Sequence, residues 1–142
     1  MAIAWLDALK RRLEKDRVAR MVAEDPALTA ELLLLFRVIL ADGEVKQREL
    51  DTFKRICRDS FGLDPNAMDG VYDYLNDFAY ETTAAQAAAV FADQPQERRQ
   101  ALLDHMIAIV QADKEIDMRE ERFVTRIADI LGFDITEVPK PT

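Results

Sequence analysis

Two acidic stretches carry the side chains of this chain that are best suited to chemistry. The pattern A-D-x-E-[VI]-x-x-R-E spans residues 41–49 and returns at residues 112–120, so the two copies are offset by 71 positions (112 − 41). Carboxylates spaced one or two residues apart in a turn can converge on a hard cation such as calcium, which takes several oxygen ligands. If the two turns lie together, we predict a site for a divalent cation, calcium or similar, at Asp42, Glu44, Glu49, Asp113, Glu115 and Glu120.

The same carboxylates also have a purely structural interpretation, as helix caps. Asp42 stands at a predicted helix end, and Glu49 and Glu120 fall in the first turns of the helices that follow. Negative charge in the first turn of a helix offsets the helix dipole by about 0.3–1 kcal/mol. An EF-hand loop does not fit, because aligning Glu49 with its twelfth position puts the apolar Val38 and Leu40 at the first and third positions. The sequence therefore leaves two alternatives open. The carboxylates either form a cation site of another geometry or only cap helices, without a metal.

The elements that would position these turns repeat with them. Each copy consists of an apolar helix, the acidic turn and a second helix that ends at a Phe-Gly-Leu or Leu-Gly-Phe sequence. With four Gly, five Pro and no alternating β-branched run, the composition favours helix over strand. We predict an all-α, single-domain bundle of about six or seven helices with two pseudo-symmetric helix-turn-helix halves. The corresponding apolar positions are Leu32, Leu35, Phe36 and Ile39 in the first half, and Leu103, Met106, Ile107 and Val110 in the second.

Three segments divide the chain: an N-terminal amphipathic helix at 1–24, the helical domain at 25–135 and a C-terminal tail at 136–142. The first segment places apolar residues on one helical face and basic residues beside it, an arrangement that can lie on an anionic membrane. Acidic residues within the helix weaken that interpretation, and we favour packing onto its own domain or onto a second subunit, which leaves a homodimer open. The apolar residues are Trp5, Leu6, Leu9 and Leu13, the basic ones Lys10, Arg11, Arg12 and Lys15, and the acidic ones Asp7, Glu14 and Asp16.

Composition and charge limit the partners of the chain. The net charge of −8 argues against nucleic acid, because phosphate binding requires clustered Lys and Arg. Cations and basic protein surfaces suit such a charge. Cys57 is the single cysteine, and neither a cleavable signal nor a membrane-spanning run is visible. We therefore predict a cytoplasmic protein without an internal disulfide.

The sequence predicts no catalytic and no cofactor-binding residue. Cys57 falls on the apolar face of its helix, which favours a core thiol over a nucleophile. His105, the only histidine, has no metal-ligand residue at a suitable spacing except the adjacent Asp104, which favours a structural role. No nucleophile elbow, P-loop or dinucleotide fingerprint occurs. These observations argue against an enzyme.

The doubled motif resembles the TerB family of tellurite-resistance proteins, whose domain also precedes the J-domain of DjlA-type co-chaperones. The resemblance covers residues 28–133 and rests on the turns A-D-G-E-V-x-x-x-E and A-D-x-E-I-x-x-x-E with their flanking helices. It implies an all-helical domain with two pseudo-symmetric halves, a cytoplasmic location and a non-enzymatic role in stress responses. It also implies an acidic surface for a divalent cation at the six carboxylates, and membrane-located partners. Lys114, where the first copy has Gly43, puts equal cation affinity of the two halves in doubt.

Together these observations predict a non-enzymatic accessory module in tellurite or another stress response. Its paired acidic turns would bind a divalent cation or a basic surface of a protein partner. The alternative is a structural interaction domain, adaptor or co-chaperone-like, without a metal site. In that alternative the carboxylates only cap helices, and the grooves between helices bind the partner.

Overall fold

Seven α-helices make up most of the part of the chain that the structure describes. The computed structural model describes residues 4–41, 43–81, 83–113 and 115–139, and leaves the side chains of residues 7, 8, 10–16 and 76–81 outside this description. No strand occurs among the described residues, and the predicted all-α class is confirmed. The helices are α1 (Ala4–Glu24), α2 (Pro26–Leu40), α3 (Gln47–Phe61), α4 (Asp69–Glu81), α5 (Ala84–Ala92), α6 (Gln96–Gln111) and α7 (Met118–Ile130), with a 3-10 helix (Pro65–Ala67) before α4.

Side-chain caps determine where several helices begin. Asp25 accepts a hydrogen bond from the Leu28 amide, and the proline that follows Asp25 occupies the first turn of α2. Thr83 and Gln86 form a reciprocal capping box at the start of α5. Asp117 accepts from the amide of Arg119 before α7. These caps satisfy amide groups that a helix leaves without an internal partner.

The apolar residues of α2 form the centre of the core. Leu32 through Leu35, Val38 and Ile39 are all fully buried, because α2 packs against each of the other six helices. A helix surrounded on every side needs apolar residues all round rather than a single stripe. The corresponding positions of the two halves match in burial. Leu32, Leu35 and Ile39 are buried like Leu103, Met106 and Val110, and Phe36 is half-buried like Ile107.

Helix α1 and the segment after α7 both contact this core. Helix α1 packs against α4 and α2, and Val22 near its end is fully buried, while Trp5, Leu6 and Leu9 near its start are exposed. At the other end Val138 is buried, and its amide donates a hydrogen bond to Glu121 Oε2 at 3.1 Å. Within the described part of the chain, none of the helices is long and apolar enough to cross a membrane.

Candidate functional site

The two acidic turns lie next to each other in the fold. Lys46 immediately precedes α3 and extends towards the second turn, where its Nζ lies 3.4 Å from Asp113 Oδ2 and 3.7 Å from Glu120 Oε1. Helix α6 packs against both α2 and α3, which sets the two helix-turn-helix units side by side. An ammonium group of the first copy therefore neutralises carboxylates of the second.

Glu49 and Glu120 occupy corresponding positions, and the structure buries both. Their exposed fractions are 0% and 1%, and each stands in the first turn of its helix, α3 or α7. The free amides and the dipole at a helix start favour negative charge. A buried carboxylate remains costly unless it is paired, and for Glu120 the Lys46 ammonium supplies part of that compensation. The last glutamate of the motif is thus an inward-facing residue in both halves.

The other carboxylates of the motif differ in exposure. Glu44 and Glu115 correspond to each other and are both exposed, while the Asp113 side chain is 34% exposed. Asp42 and Lys114 lie outside the described residues. Gly43 has a φ of 81°, in the left-handed region that glycine adopts at little cost. The first turn therefore uses a backbone conformation that is strained for the lysine found in the second copy.

A lysine ammonium, rather than a set of carboxylates alone, fills the space between Asp113 and Glu120. Within the described residues, no group of three or more His, Cys, Asp or Glu side chains is arranged to hold a metal ion. Calcium requires six to eight oxygen ligands at about 2.3–2.6 Å. The described geometry is that of an ion-pair cluster, and the six-carboxylate cation site remains a prediction.

Lys46 is a functional candidate that the sequence patterns did not single out. It corresponds to Asp117 of the second copy, so the repeat changes from a base to an acid at the residue before the second helix. Asp117 uses its carboxylate as a local cap, whereas Lys46 makes no side-chain cap and extends across to the other turn. The break in the repeat was the signal that could have identified it.

Neither Cys57 nor His105 is fully open to solvent. Cys57 is fully buried, and burial together with the nearby Glu31 carboxylate raises the pKa of its thiol to about 12. It is therefore protonated at neutral pH and a poor nucleophile. His105 is half-buried, with its Nε2 3.3 Å from Ser60 Oγ and its ring edge-on to Phe61. Burial lowers the pKa of this imidazole, so it is neutral at physiological pH.

Glu31 is a buried acid that the sequence patterns also missed. Only 2% of it is exposed, and its Oε2 has no hydrogen-bond partner in the described part of the chain. Burial raises the pKa of this carboxyl to about 7, against the opposing attraction of Arg98. The sequence does show a single acid flanked by the apolar residues of α2. Its spacing alone, however, does not distinguish a buried acid from one that faces solvent.

Comparisons with known proteins agree with this architecture. The family model described as "Tellurite resistance protein TerB" matches residues 25–140. A crystal structure of a protein of unknown function from Porphyromonas gingivalis W83 is similar in fold, with a TM-score of 0.60 and 26% sequence identity over 80% of this chain and 87% of that one. Among curated proteins, none matches the chain.

Proposed function

Since this chain belongs to the TerB family, we propose that it is a non-enzymatic binding module in tellurite or another stress response. Its paired acidic turns bind a divalent cation or a basic surface of a protein partner. The observation that supports this function best is the contact between the two turns, made by Lys46 with Asp113 and Glu120. It joins a lysine of the first turn to two carboxylates of the second copy.

In this proposal the Lys46 ammonium is an internal counter-ion that an external cation replaces. The lysine side chain is one quarter exposed and ends a flexible stem, so it can turn outward into solvent. Asp113 and Glu120 then become available to a cation or to a basic side chain of a partner. The same exchange accounts for both kinds of ligand, because each provides positive charge at the position of the ammonium.

Thermal unfolding at increasing calcium or magnesium concentration tests whether the acidic turns bind a divalent cation. A ligand that binds only the folded state raises Tm with concentration and contributes about 2.7 kcal/mol at a hundred times its Kd. Lys46→Met should move this response to lower calcium concentration, because the competing ammonium is gone. Asp113→Asn should weaken it, whereas Asp129→Asn, an exposed acid at the opposite end of α7, should leave it unchanged.

The alternative is a structural interaction domain, adaptor or co-chaperone-like, in which Lys46 is a permanent ion-pair partner. The burial of Glu120 favours this role, because removing the partner of a buried carboxylate leaves its charge without compensation. Lys46→Met would then lower Tm to the same extent with and without calcium. An unchanged Tm of the wild-type protein at millimolar calcium would contradict the proposal that the turns bind a cation.

We further propose protein partners located at the membrane and a cytoplasmic site of action. The exposed Trp5, Leu6 and Leu9 of α1 provide an apolar surface for such a partner or for a second copy of the chain. The acidic turns and the exposed apolar residues of α1 would then give the module two different contact surfaces. The net charge of −8 directs its electrostatic attraction to basic protein surfaces rather than to anionic lipid.

A further inference from the structure

Three arginines and a phenylalanine line an open pocket of about 300 Å³ between α7 and the end of α2. Ala41 completes the lining on the α2 side. The four α7 residues are spaced at i, i+3, i+4 and i+7, which places them on one face of the helix. They are Arg119, Arg122, Phe123 and Arg126. The pocket thus gathers positive charge on a chain whose net charge is −8.

Ion pairing within the described residues does little to neutralise this charge. Arg119 Nε lies 3.7 Å from Asp117 Oδ1, and the Arg126 guanidinium lies 5.8 Å from the centre of the Phe123 ring. No described carboxylate lies within ion-pair distance of Arg122 or Arg126. Like charges three or four residues apart on a helix destabilise it. Among the described residues this face therefore carries like charges close together, and a bound anion would relieve their repulsion.

The first copy of the repeat lacks this arrangement. The corresponding residues of α3 are Arg48, Asp51, Thr52 and Arg55. Asp51 interrupts the positive charge there, and its carboxylate accepts a hydrogen bond from Gln47 Nε2 at 2.7 Å. An acid and a hydroxyl thus replace the central arginine and the aromatic ring. The basic pocket belongs to the second half alone, so the pseudo-symmetry of the fold does not require it.

We propose that this pocket binds a small, soluble, phosphate-bearing ligand. A guanidinium group offers paired N–H donors that match phosphoryl oxygens, and Arg119, Arg122 and Arg126 present three such groups to one space. The volume is at the lower end of small-molecule sites, and Phe123 provides an apolar wall. A polyanion or an anionic membrane would meet the repulsion of the whole acidic surface, whereas a small ligand meets only the pocket. This site goes beyond the function proposed for the acidic turns and does not depend on it.

Calorimetric titration of the full chain with inorganic phosphate and with pyrophosphate, at fixed ionic strength, tests the proposal. We expect saturable binding, tighter for pyrophosphate because it offers more oxygens to the three guanidinium groups. Arg126→Gln should weaken pyrophosphate binding by roughly tenfold or more, as expected for loss of a charge-assisted hydrogen bond. Arg55→Gln, the matched change on α3, should leave the affinity unchanged. Since both arginines are exposed, both variants are expected to fold, and their melting temperatures verify this.

Arg122→Asp converts the centre of the face to the charge pattern of the first copy, and should abolish binding without lowering Tm in the absence of phosphate. Three results would overturn the proposal: no saturable binding at millimolar pyrophosphate, equal weakening by Arg55→Gln, or reproduction of the signal by sodium chloride of the same ionic strength. A fourth arm uses vesicles that contain phosphatidic acid. Sedimentation with these vesicles in the absence of pyrophosphate binding would assign the pocket to a lipid headgroup and would also contradict the proposal.

Discussion

Two buried acids, Glu120 and Glu31, lie at different positions along their helices. Glu120 stands at the start of α7, with the Lys46 ammonium 3.7 Å from its Oε1. Glu31 lies in the middle of α2, away from either helix end, and burial raises the pKa of its carboxyl to about 7. The two acids therefore lie in different surroundings, because a helix start stabilises negative charge and a helix centre does not.

Stability should fall as the pH rises towards neutrality because of Glu31. The pKa of this carboxyl is raised from 4.5 to about 7 in the folded state, so between these values the folded chain holds a proton that the unfolded chain has lost. Its contribution to stability is fully present below about pH 4.5 and is lost as the pH rises through 7. The change in the free energy of unfolding caused by Glu31→Gln should therefore be more favourable at pH 8 than at pH 5, by about 1–3 kcal/mol.

Urea unfolding of wild-type and Glu31→Gln proteins at pH 5 and pH 8 measures this difference. Glu97→Gln, an exposed acid on α6, is the matched control and should change the free energy of unfolding equally at both pH values. The same response for both variants would contradict the role assigned to Glu31. Substitution by glutamine keeps the shape of the side chain, so the comparison isolates the charge.

At the scale of helices, local sequence signals located most boundaries. Asp25 and Asp117 are capping residues immediately before α2 and α7, and Gly62 follows α3 with a φ of 65°. These signals work because a cap involves only residues within three positions of each other. Which face of a helix meets which neighbour is a different matter. The arginine face of α7 borders a pocket only because Ala41 at the end of α2 lies beside it.

The cap of α7 supports a stability prediction. Asp117 accepts from the Arg119 amide at 2.7 Å and from the Glu120 amide at 3.4 Å. Asp117→Ala should lower the free energy of unfolding by about 0.5–2 kcal/mol, as expected for loss of an N-terminal cap. Thermal and urea unfolding measure the loss. Asp117→Ser, which retains a capping oxygen, should recover most of it, and an equal loss in both variants would show that the cap is not the cause.

At the scale of the whole molecule, the two halves share one core. Helix α2 of the first half packs against α6 and α7 of the second, and against α5 between them. Neither half can bury its apolar residues without the other, because the side chains of α2 face both. The acidic turns are consequently held together by the same packing that forms the core.

A core substitution in α2 should destabilise both halves together. Leu34 is fully buried, and Leu34→Ala should lower the free energy of unfolding by about 2–5 kcal/mol. Leu40→Ala, at the exposed end of the same helix, should cost far less. Circular dichroism and the reactivity of the single buried thiol of Cys57 should report one coincident transition for each variant. Separate transitions would show that the halves unfold independently.

The sequence by itself determined the helices, their caps, the internal repeat and the family, because these depend on residue periodicity and on contacts between close neighbours. It identified the six carboxylates as a group, yet it did not distinguish the buried Glu49 and Glu120 from the exposed Glu44 and Glu115. Tertiary structure decided that distinction, together with the approach of Lys46 to Asp113 and the pocket formed by the arginines of α7. Each of these arises between segments distant in the sequence, where helix packing rather than local spacing sets which side chains meet.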